Sequence, residues 1–186
     1  MASDSTDPVP FGFFSVVRHP TYGWYVDCRD AVVVVPVRRT ATREALELGF
    51  LRMVRRPVDR EGLEFPGGTI DGREAPVEAA ARELVEETGL GAGRLESIGE
   101  FFEAPGRMAF RHHVFVALNL EPTGQDVAAS RSAEDILDFS WVPQDRTWEL
   151  IADGSIHAGP TLCSLLHLAR WMRGDPTPSV SRRPPL

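Results

Sequence analysis

The sequence contains no lysine, only two cysteines and no long apolar run. All 20 basic residues are therefore arginine, which leaves only forked guanidinium groups to recognise a phosphate. Cys28 and Cys163 are too few for a disulfide framework and lack metal-ligand spacing, so we expect a reducing cytoplasm. The most apolar run, residues 31–37, is far shorter than the roughly 20 residues of a membrane-spanning helix.

Composition and charge narrow the possible classes further. With 186 residues, of which 42% are hydrophobic and 25% charged, the chain is typical of one soluble globular domain. Its polar first residues lack the basic and apolar regions of a signal peptide. A net charge of -7 argues against a nucleic-acid partner or an acidic membrane held by charge. Local arginines and a metal could still bind a phosphate substrate.

A helix is predicted over residues 77–88. Most of these residues are strong helix formers, Pro76 suits the first helical turn, and Gly89 stands at the stop position. One face of this helix is predicted to pack on a sheet. The residues spaced for that face are Val77, Ala81, Leu84 and Thr88.

Three glutamates crowd a neighbouring face of the same helix. Glu83 and Glu87 are one turn apart and Glu86 lies between them in sequence, so like charges repel at helical neighbour distance. Arg82 can neutralise only part of this charge. The cluster is either a solvated acidic surface or a cation site. Carboxylates together with substrate phosphates are the ligands that Mg²⁺ prefers and that Mn²⁺ also accepts.

The residues around these glutamates follow a specific order. From Gly68 the chain reads Gly, five residues, Glu, seven residues, Arg-Glu-Leu, one residue, Glu-Glu, one residue and Gly-Leu, ending at Leu90. This order matches the Nudix box at every defined position, so the chain resembles the Nudix hydrolases. The resemblance implies a domain that binds divalent cations and cleaves a nucleoside diphosphate linked to another group, by attack of water on phosphorus.

The resemblance also implies a role for each residue of the box. Bound cations would polarise phosphoryl oxygens and lower the pKa of the attacking water. Gly68 would permit a tight loop that brings backbone to the metal. The implied metal ligands are Glu83 and Glu87, with Glu86 as a further ligand or proton acceptor and the carbonyl of Gly67 as a backbone ligand, while Arg82 and Glu74 would orient them.

A weaker signal lies after the box. Pro105 and Gly106 stand where a Pro-Gly pair marks the ADP-ribose pyrophosphatase and nucleotide-sugar subgroup, although Pro-Gly is also a common turn. Where that subgroup often has an acidic residue, this chain continues with Arg107 and, further on, Arg111. These two arginines could bind a further phosphate or a different nucleotide sugar. The three candidate substrate-binding residues here are Pro105, Gly106 and Arg107.

The subgroup resemblance implies two more substrate-binding residues. Arg56, just before a proline, would face the substrate, or else it lies at a solvent-exposed strand end beside Arg55. Glu64 would lie near the metal site, or else it is an ordinary edge-strand glutamate. His112 and His113 alternate faces of a predicted strand, so at most one can point at the site, and a structural role is predicted for both.

A mobile general base is the last implied role. Residues 122–133 are predicted to form a flexible loop, and in the resembling subgroup a glutamate at this place swings toward the substrate. Glu134 is the candidate here, because a mobile carboxylate can approach the attacking water after substrate has closed the site. Glu86 or Glu87 could remove the proton instead, and an acidic loop residue without a catalytic role is the other alternative.

The predicted fold class is α/β, a Nudix α/β/α sandwich with a mixed β-sheet between helices. Residues 11–173 form the predicted domain, and residues 1–10 and 174–186 are predicted to be disordered. The run 31–37 has no polar alternation, which predicts a strand covered on both faces. Further strands are predicted at 48–56, 95–102, 114–120 and 137–143, and helices at 144–153 and 162–172, the last with an apolar stripe of Leu162, Leu165, Leu166 and Ala169.

Residues 11–30 read as two strands around turn signals. They resemble the extension with which the subgroup builds a homodimer, and a hairpin covering an edge of its own subunit is the alternative. The predicted function is metal-dependent hydrolysis of a nucleoside diphosphate linked to a sugar, with ADP-ribose, giving AMP and ribose 5-phosphate, as the leading substrate. Hydrolysis of nucleoside triphosphates or dinucleoside polyphosphates and a non-catalytic ligand sensor stay open as alternatives.

Overall fold

The computed structural model describes residues 8–11, 14–40 and 45–176. Most of the two terminal segments predicted to be disordered lies outside these residues, but Val9 and Pro10 belong to a strand. The strands are β1 Val9–Phe11, β2 Phe14–His19, β3 Gly23–Cys28, β4 Ala31–Arg39, β5 Leu46–Arg55, β6 Arg60–Glu64, β7 Gly67–Thr69, β8 Leu90–Phe102, β9 Arg111–Pro122 and β10 Ile136–Pro143. The helices are α1 Pro76–Thr88, α2 Ala128–Ala133, α3 Thr147–Ala152 and α4 Gly159–Met172, with short 3₁₀ turns at Arg56–Val58 and Gln144–Arg146.

A mixed sheet forms the centre of the domain, as the sequence predicts. Its strand order is β10-β5-β4-β9-β8, with β6 beside β5 and β7 beside β4. The β4 and β9 strands are parallel, whereas the other neighbours are antiparallel. Helices pack on both faces of this sheet, so the α/β sandwich is confirmed.

The central strand β4 explains how the two layers are divided. Val32 and Val34 pack against α1, whereas Val33, Val35 and Val37 pack in the cluster that contains α4. Because successive side chains of a strand point to opposite faces, both sets must be apolar when both faces are covered. The uninterrupted valine run is therefore the sequence of a strand buried on both sides, as predicted.

The sheet opens between β4 and β5, and this opening positions the site. The two strands pair only from Val37 to Arg39, opposite residues 46–48. Beyond that point β6 continues the ladder of β5, while β7 pairs with the first residues of β4. The chain between β6 and β7 thus crosses the opening and brings Gly67 and Gly68 toward α1.

Helix α1 has the predicted ends but a different buried face. Pro76 is its first residue, and Gly89 ends it in the left-handed conformation with φ 75°. Leu84 and Thr88 are buried as predicted, whereas Val77 and Ala81 are exposed, so that part of the prediction is wrong. The helix is rotated so that its small residues lie on the sheet and its carboxylates lie at the sheet opening; the buried set is Ala79, Ala80, Glu83, Leu84, Glu87 and Thr88.

Two further sequence predictions differ from the structure. The predicted loop 122–133 contains α2, a six-residue helix. On α4, Leu162 and Leu165 pack against the core as predicted, whereas Leu166 is 64% exposed and Leu168, which the prediction omitted, is buried. The described residues include no helix that is long and apolar enough to cross a membrane.

The N-terminal strands form a second, separate sheet. Its order is β1-β2-β3, all antiparallel, with the β2-β3 hairpin turning at residues 20–22. It is attached to the rest of the domain through Val26, whose N–H donates to the carbonyl of Arg107 and whose carbonyl accepts from the N–H of Ala109. This hairpin therefore lies over the segment that follows β8.

The orientation of α1 can be tested by two matched truncations. Leu84→Ala is expected to lower the free energy of unfolding by about 2–5 kcal/mol, because it leaves a cavity at a fully buried position. Val77→Ala is expected to change it by less than about 0.5 kcal/mol, because Val77 is exposed. Urea denaturation of both variants measures the difference. Equal losses would contradict the buried face described above.

Candidate functional site

Three carboxylates meet where α1 passes the opening in the sheet. Glu83 and Glu87 come from consecutive turns of α1 and are buried, and Glu134 reaches them from the exposed end of α2. One oxygen from each side chain lies within 4.8 Å of the other two. Glu86 is not part of this group and is more exposed, at 40% of its side chain. The arrangement brings together the helix glutamates and the loop glutamate that the sequence singles out.

Two glycines make room for these carboxylates. The N–H of Gly67 donates to Glu87 Oε2 at 2.8 Å. A Cβ on Gly68 would lie 2.3 Å from Glu83 Oε1, and a Cβ on Gly67 would lie 2.2 Å from the carbonyl oxygen of Val32. Only glycine fits both positions, because a side chain would displace either a carboxylate or the neighbouring strand.

Arg82 holds the exposed side of the cluster in place. Its guanidinium donates to Glu83 Oε1 at 2.8 Å, to Glu74 Oε1 at 2.7 Å and to the Thr69 carbonyl at 3.1 Å. The same group also reaches Glu86 Oε2 at 3.2 Å. One planar fork therefore orients the α1 carboxylates against the loop that precedes the helix.

The carboxylates of this cluster are unfavourable in their charged form, and a bound cation would offset this cost. Burial raises the pKa of Glu87 to about 9, with Glu134 and Glu83 adding to the effect against the opposing hydrogen bond from Gly67. Burial also raises the pKa of Glu83, although Arg82 acts in the opposite direction. Close carboxylates that resist ionisation are suited to a hard divalent cation, which neutralises them without protons. The residues present thus fit Mg²⁺ or Mn²⁺.

A cavity of about 310 Å³ opens beside the carboxylates. Glu134 lines one part of it, and Arg55 and Glu64 line another. Arg55 donates to Glu64 through two nitrogens, at 3.0 Å and 2.8 Å, so the buried Glu64 fixes its guanidinium in the cavity wall. The cavity therefore combines a cation site with a preset arginine, which are complementary to a phosphate group.

The comparisons with known proteins agree with this geometry. The family model described as NUDIX domain matches residues 28–163. The chain belongs to the Nudix family. A crystal structure of an ADP compounds hydrolase superposes with a TM-score of 0.70 over 92% of this chain and 98% of that chain, at 23% identity, and therefore shares the fold of this Nudix domain.

Curated relatives of this Nudix domain include several nucleotide hydrolases. An ADP-ribose pyrophosphatase of Bacillus subtilis is 39% identical over 56% of this chain and 49% of its own length. An ADP compounds hydrolase of Escherichia coli is 27% identical over 79% and 74%. A CMP-5'-(N-acetyl-N-hydroxy-3-aminopropyl)phosphonate hydrolase of Streptomyces rubellomurinus is 31% identical over 58% and 50%. The chain thus matches about half the length of the Bacillus and Streptomyces relatives.

Arg56 lies at the solvent-exposed end of β5 beside Arg55, which is the alternative that the sequence left open for it. It forms two close contacts with Asp135, at 2.6 Å and 2.5 Å, and its side chain is 76% exposed. Asp135 directly follows Glu134 and has a left-handed backbone with φ 57°. Arg56 therefore fixes the connection that carries Glu134, and it is Arg55 that lines the cavity.

Arg55 was missed by the sequence prediction, although a signal was present. Along β5, Arg55 shares a face with Leu51 and Met53 because strand side chains alternate. Leu51 and Met53 are both buried, whereas Arg56 follows the last strand residue and starts the 3₁₀ turn. The alternation along β5 thus indicated that Arg55, rather than Arg56, lies on the same side of the strand as the buried Leu51 and Met53.

The Pro-Gly segment lies beside the Nudix site and supports the N-terminal sheet. Pro105 lines a second cavity, of about 420 Å³, together with Tyr22 and other hairpin residues. The Tyr22 hydroxyl donates to the carbonyl of Gly106, and Arg107 is exposed and binds the hairpin through its backbone. None of these three predicted substrate-binding residues lines the cavity beside the carboxylates within the described chain.

The pKa of Glu87 predicts how stability depends on pH without metal. Between its ordinary value of 4.5 and about 9, the folded chain binds a proton that the unfolded chain has lost, so folding stability falls as pH rises. In the presence of a chelator, raising the pH from 5.5 to 8 is expected to cost wild type up to roughly 3 kcal/mol more than Glu87→Gln. Urea unfolding at both pH values measures this.

Glu149→Gln, on the exposed surface of α3, is the control for that experiment, and the pH dependence of its stability is expected to follow wild type. Adding Mg²⁺ or Mn²⁺ at pH 8 is expected to stabilise wild type more than Glu87→Gln. Identical pH profiles for wild type and Glu87→Gln would contradict a proton held by Glu87.

Proposed function

We propose that this chain hydrolyses the pyrophosphate bond of a nucleoside diphosphate linked to a sugar, with ADP-ribose as substrate and AMP and ribose 5-phosphate as products. One observation carries the proposal: Glu83, Glu87 and Glu134 present their carboxylates together beside a cavity that contains Arg55. The Bacillus relative, an ADP-ribose pyrophosphatase, supports the choice of substrate.

The proposed cation ligands are Glu83 and Glu87, with Glu86 and the carbonyl of Gly67 as the further ligands that the Nudix box implies. A bound Mg²⁺ or Mn²⁺ supplies charge neutralisation at phosphoryl oxygens and favours ionisation of the attacking water. The chain contributes the rigid placement of the ligands. Arg82 fixes Glu83, and the N–H of Gly67 fixes Glu87.

Glu134 is the proposed general base. Its exposed carboxylate stands beside the buried pair, at the end of a short helix that is anchored on both sides. Arg131 donates to the carbonyl of Glu87 at 2.8 Å, and Arg56 holds Asp135. Glu134 can therefore accept a proton from the attacking water while its supports stay in place.

Arg55 is the proposed phosphate ligand of the cavity wall. Two of its nitrogens are bound to Glu64, which leaves other N–H donors of the guanidinium for a substrate oxygen. Glu87 and Glu134 lie close enough to favour its positive charge. A phosphate bound here would sit between the cation site and a fixed positive charge, which neutralises charge that develops during hydrolysis.

A broader activity on ADP compounds is the second candidate function. The Escherichia coli relative, an ADP compounds hydrolase, matches 74% of its own length to this chain. Its similarity extends over more of both chains than that of the Bacillus relative, which favours a site that accepts several groups beyond the second phosphate.

Two substitutions test the proposed chemistry. Glu87→Gln is expected to abolish metal-dependent hydrolysis because it removes a ligand, whereas Glu134→Gln is expected to lower kcat by roughly 10²–10⁴-fold with little change in KM. Release of phosphate-containing products with Mg²⁺ or Mn²⁺ is measured for ADP-ribose, other nucleotide sugars, nucleoside triphosphates and diadenosine polyphosphates. Full activity of Glu134→Gln would contradict its role as base.

Glu149→Gln, on the exposed surface of α3, is the control and is expected to match wild type. Turnover of ADP-ribose alone supports the first candidate, and turnover of several ADP compounds supports the second. Preference for nucleoside triphosphates would contradict both substrate assignments, but the chain would still be a hydrolase. No turnover of any compound would contradict catalysis and favour a ligand sensor.

We further propose that the N-terminal sheet forms a homodimer. Its residues Val9, Tyr22 and Trp24 are 45%, 60% and 52% exposed, which leaves apolar and aromatic surface on a sheet that is only partly covered. The free cysteines Cys28 and Cys163 agree with a reducing cytoplasm as the proposed compartment.

A charge at Trp24 tests the dimer. The mass of Trp24→Arg in light scattering is expected to be half that of wild type. At a two-fold interface the introduced arginine would be desolvated next to the same arginine of the second copy, which opposes association. Trp148→Arg is the matched control, since Trp148 is also exposed but lies on α3. A monomeric wild-type mass would contradict the dimer.

A further inference from the structure

A third cavity lies at the other end of β4 from the carboxylates. This distal cavity has a volume of about 640 Å³ and is lined by the last residues of β4 and of α4, together with parts of β8 and β9. Residues 31–33 of β4 line the cavity beside the carboxylates and residues 37–39 line the distal one, so roughly 13 Å of strand separates them. The two cavities have no described lining residue in common.

The lining of the distal cavity is basic, although the chain as a whole is acidic. Arg38, Arg39 and Arg94 line it, whereas no aspartate or glutamate among the described residues does so. The whole chain contains 27 acidic residues against 20 arginines and has a net charge of -7. A cavity whose charged lining has one sign attracts ligands of the opposite sign. The charge of the distal cavity is therefore complementary to an anion.

The three arginines differ in what already binds them. Arg38 donates to Glu47 Oε2 at 2.8 Å, and Arg94 forms an ion pair with Glu96. The side chain of Arg39 is exposed and has no hydrogen-bonding or ion-pair partner within the described part of the chain. Because a guanidinium is always charged and has five N–H donors, Arg39 can bind a phosphate group through two of them at once.

The remaining lining suits an aromatic group better than a bare ion. Trp171 is half-buried in the cavity wall, and its indole N–H donates to Glu96 Oε2 at 3.0 Å, which fixes the ring. The other apolar lining residues are Val37, Leu46, Leu118, Leu120 and Met172. An inorganic anion gains nothing from such a surface, whereas a nucleobase stacks on an indole ring.

Asn119 adds a polar group to the same wall. It is exposed, and its backbone is left-handed with φ 54°, a conformation that asparagine tolerates. Its amide, which has no hydrogen-bonding partner among the residues described, offers one acceptor and two donors. An asparagine amide is complementary to the edge of adenine, which presents a donor beside an acceptor.

We propose that the distal cavity is a second ligand site, which binds a nucleoside monophosphate with its phosphate on Arg39 and its base against Trp171 and Asn119. The cavity has the size and the mostly apolar lining of a small-molecule site, for which roughly 300–1,000 Å³ is usual. This inference goes beyond the proposed hydrolysis and does not depend on it, because the residues of the two sites are different.

Binding of AMP to the full chain in the presence of a chelator tests the proposal. Equilibrium dialysis measures the dissociation constant, and tryptophan fluorescence reports the distal cavity, since Trp171 is the tryptophan that lines it. Wild type is expected to bind AMP with a saturable change in fluorescence. Adenosine and inorganic phosphate, which each offer one part of the ligand, are expected to bind at least about 10-fold more weakly.

Arg39→Gln is expected to weaken AMP binding roughly 10-fold, because it removes a charge-assisted contact with the phosphate. Arg146→Gln is the matched control and is expected to bind as wild type does. It removes the same charge from another exposed arginine, which does not line the distal cavity. Trp171→Phe is expected to remove the fluorescence change. Thermal melting checks that each variant is folded, and Arg39→Gln carries the test if Trp171→Phe does not fold.

The absence of saturable AMP binding to wild type would overturn the proposal. So would equal affinities of Arg39→Gln and Arg146→Gln for AMP, or a fluorescence change that persists in folded Trp171→Phe. Octyl phosphate, which has the charge and an apolar tail but no base, is expected to bind more weakly than AMP, and equal or tighter binding overturns the assignment to a nucleotide. Because metal is absent throughout, these outcomes are independent of whether the chain hydrolyses ADP-ribose.

Discussion

Two carboxylates buried one turn apart on a helix are the constraint on which the rest of this domain depends. Glu83 and Glu87 repel each other and resist ionisation, so the surrounding chain must hold them where a cation can replace their protons. Gly67 and Gly68, where a side chain would not fit, and the guanidinium of Arg82 serve this purpose directly. A helix that only closed the sheet would have needed none of them.

The opening in the sheet follows from the same constraint. A continuous ladder between β4 and β5 would leave no backbone N–H pointing at α1, because every group would be paired within the sheet. Separating the strands and inserting β6 and β7 keeps each strand paired while it frees Gly67 to bind Glu87. The gap also leaves space for the cavity, so the carboxylate group and the cavity beside it arise from one distortion.

Local sequence patterns correctly predicted those parts of the fold that depend on neighbouring residues alone. The limits of α1 follow from Pro76 and Gly89, and the covered strand follows from its valine run. The orientation of α1 could not be predicted from its sequence. More than one of its faces could pack on the sheet, and tertiary packing determines which of them is buried. Glu134 was reached through family resemblance, since no local pattern brings residues from α2 and α1 together. The surroundings of His112 depend on the β8-β9 register, which the sequence does not specify.

The residues that could select a substrate lie outside the Nudix box. The Nudix box serves any substrate with a pyrophosphate, so discrimination must come from residues outside it. The sequence left open that Arg107 and Arg111 bind a further phosphate. Arg111, however, is bound to Asp30 at 2.8 Å and reaches Glu100, while Arg107 does not line the cavity beside the carboxylates. Neither of these two arginines therefore takes the phosphate-binding place that the sequence left open to it, and Arg55, fixed by Glu64 in the cavity wall, is the proposed phosphate ligand.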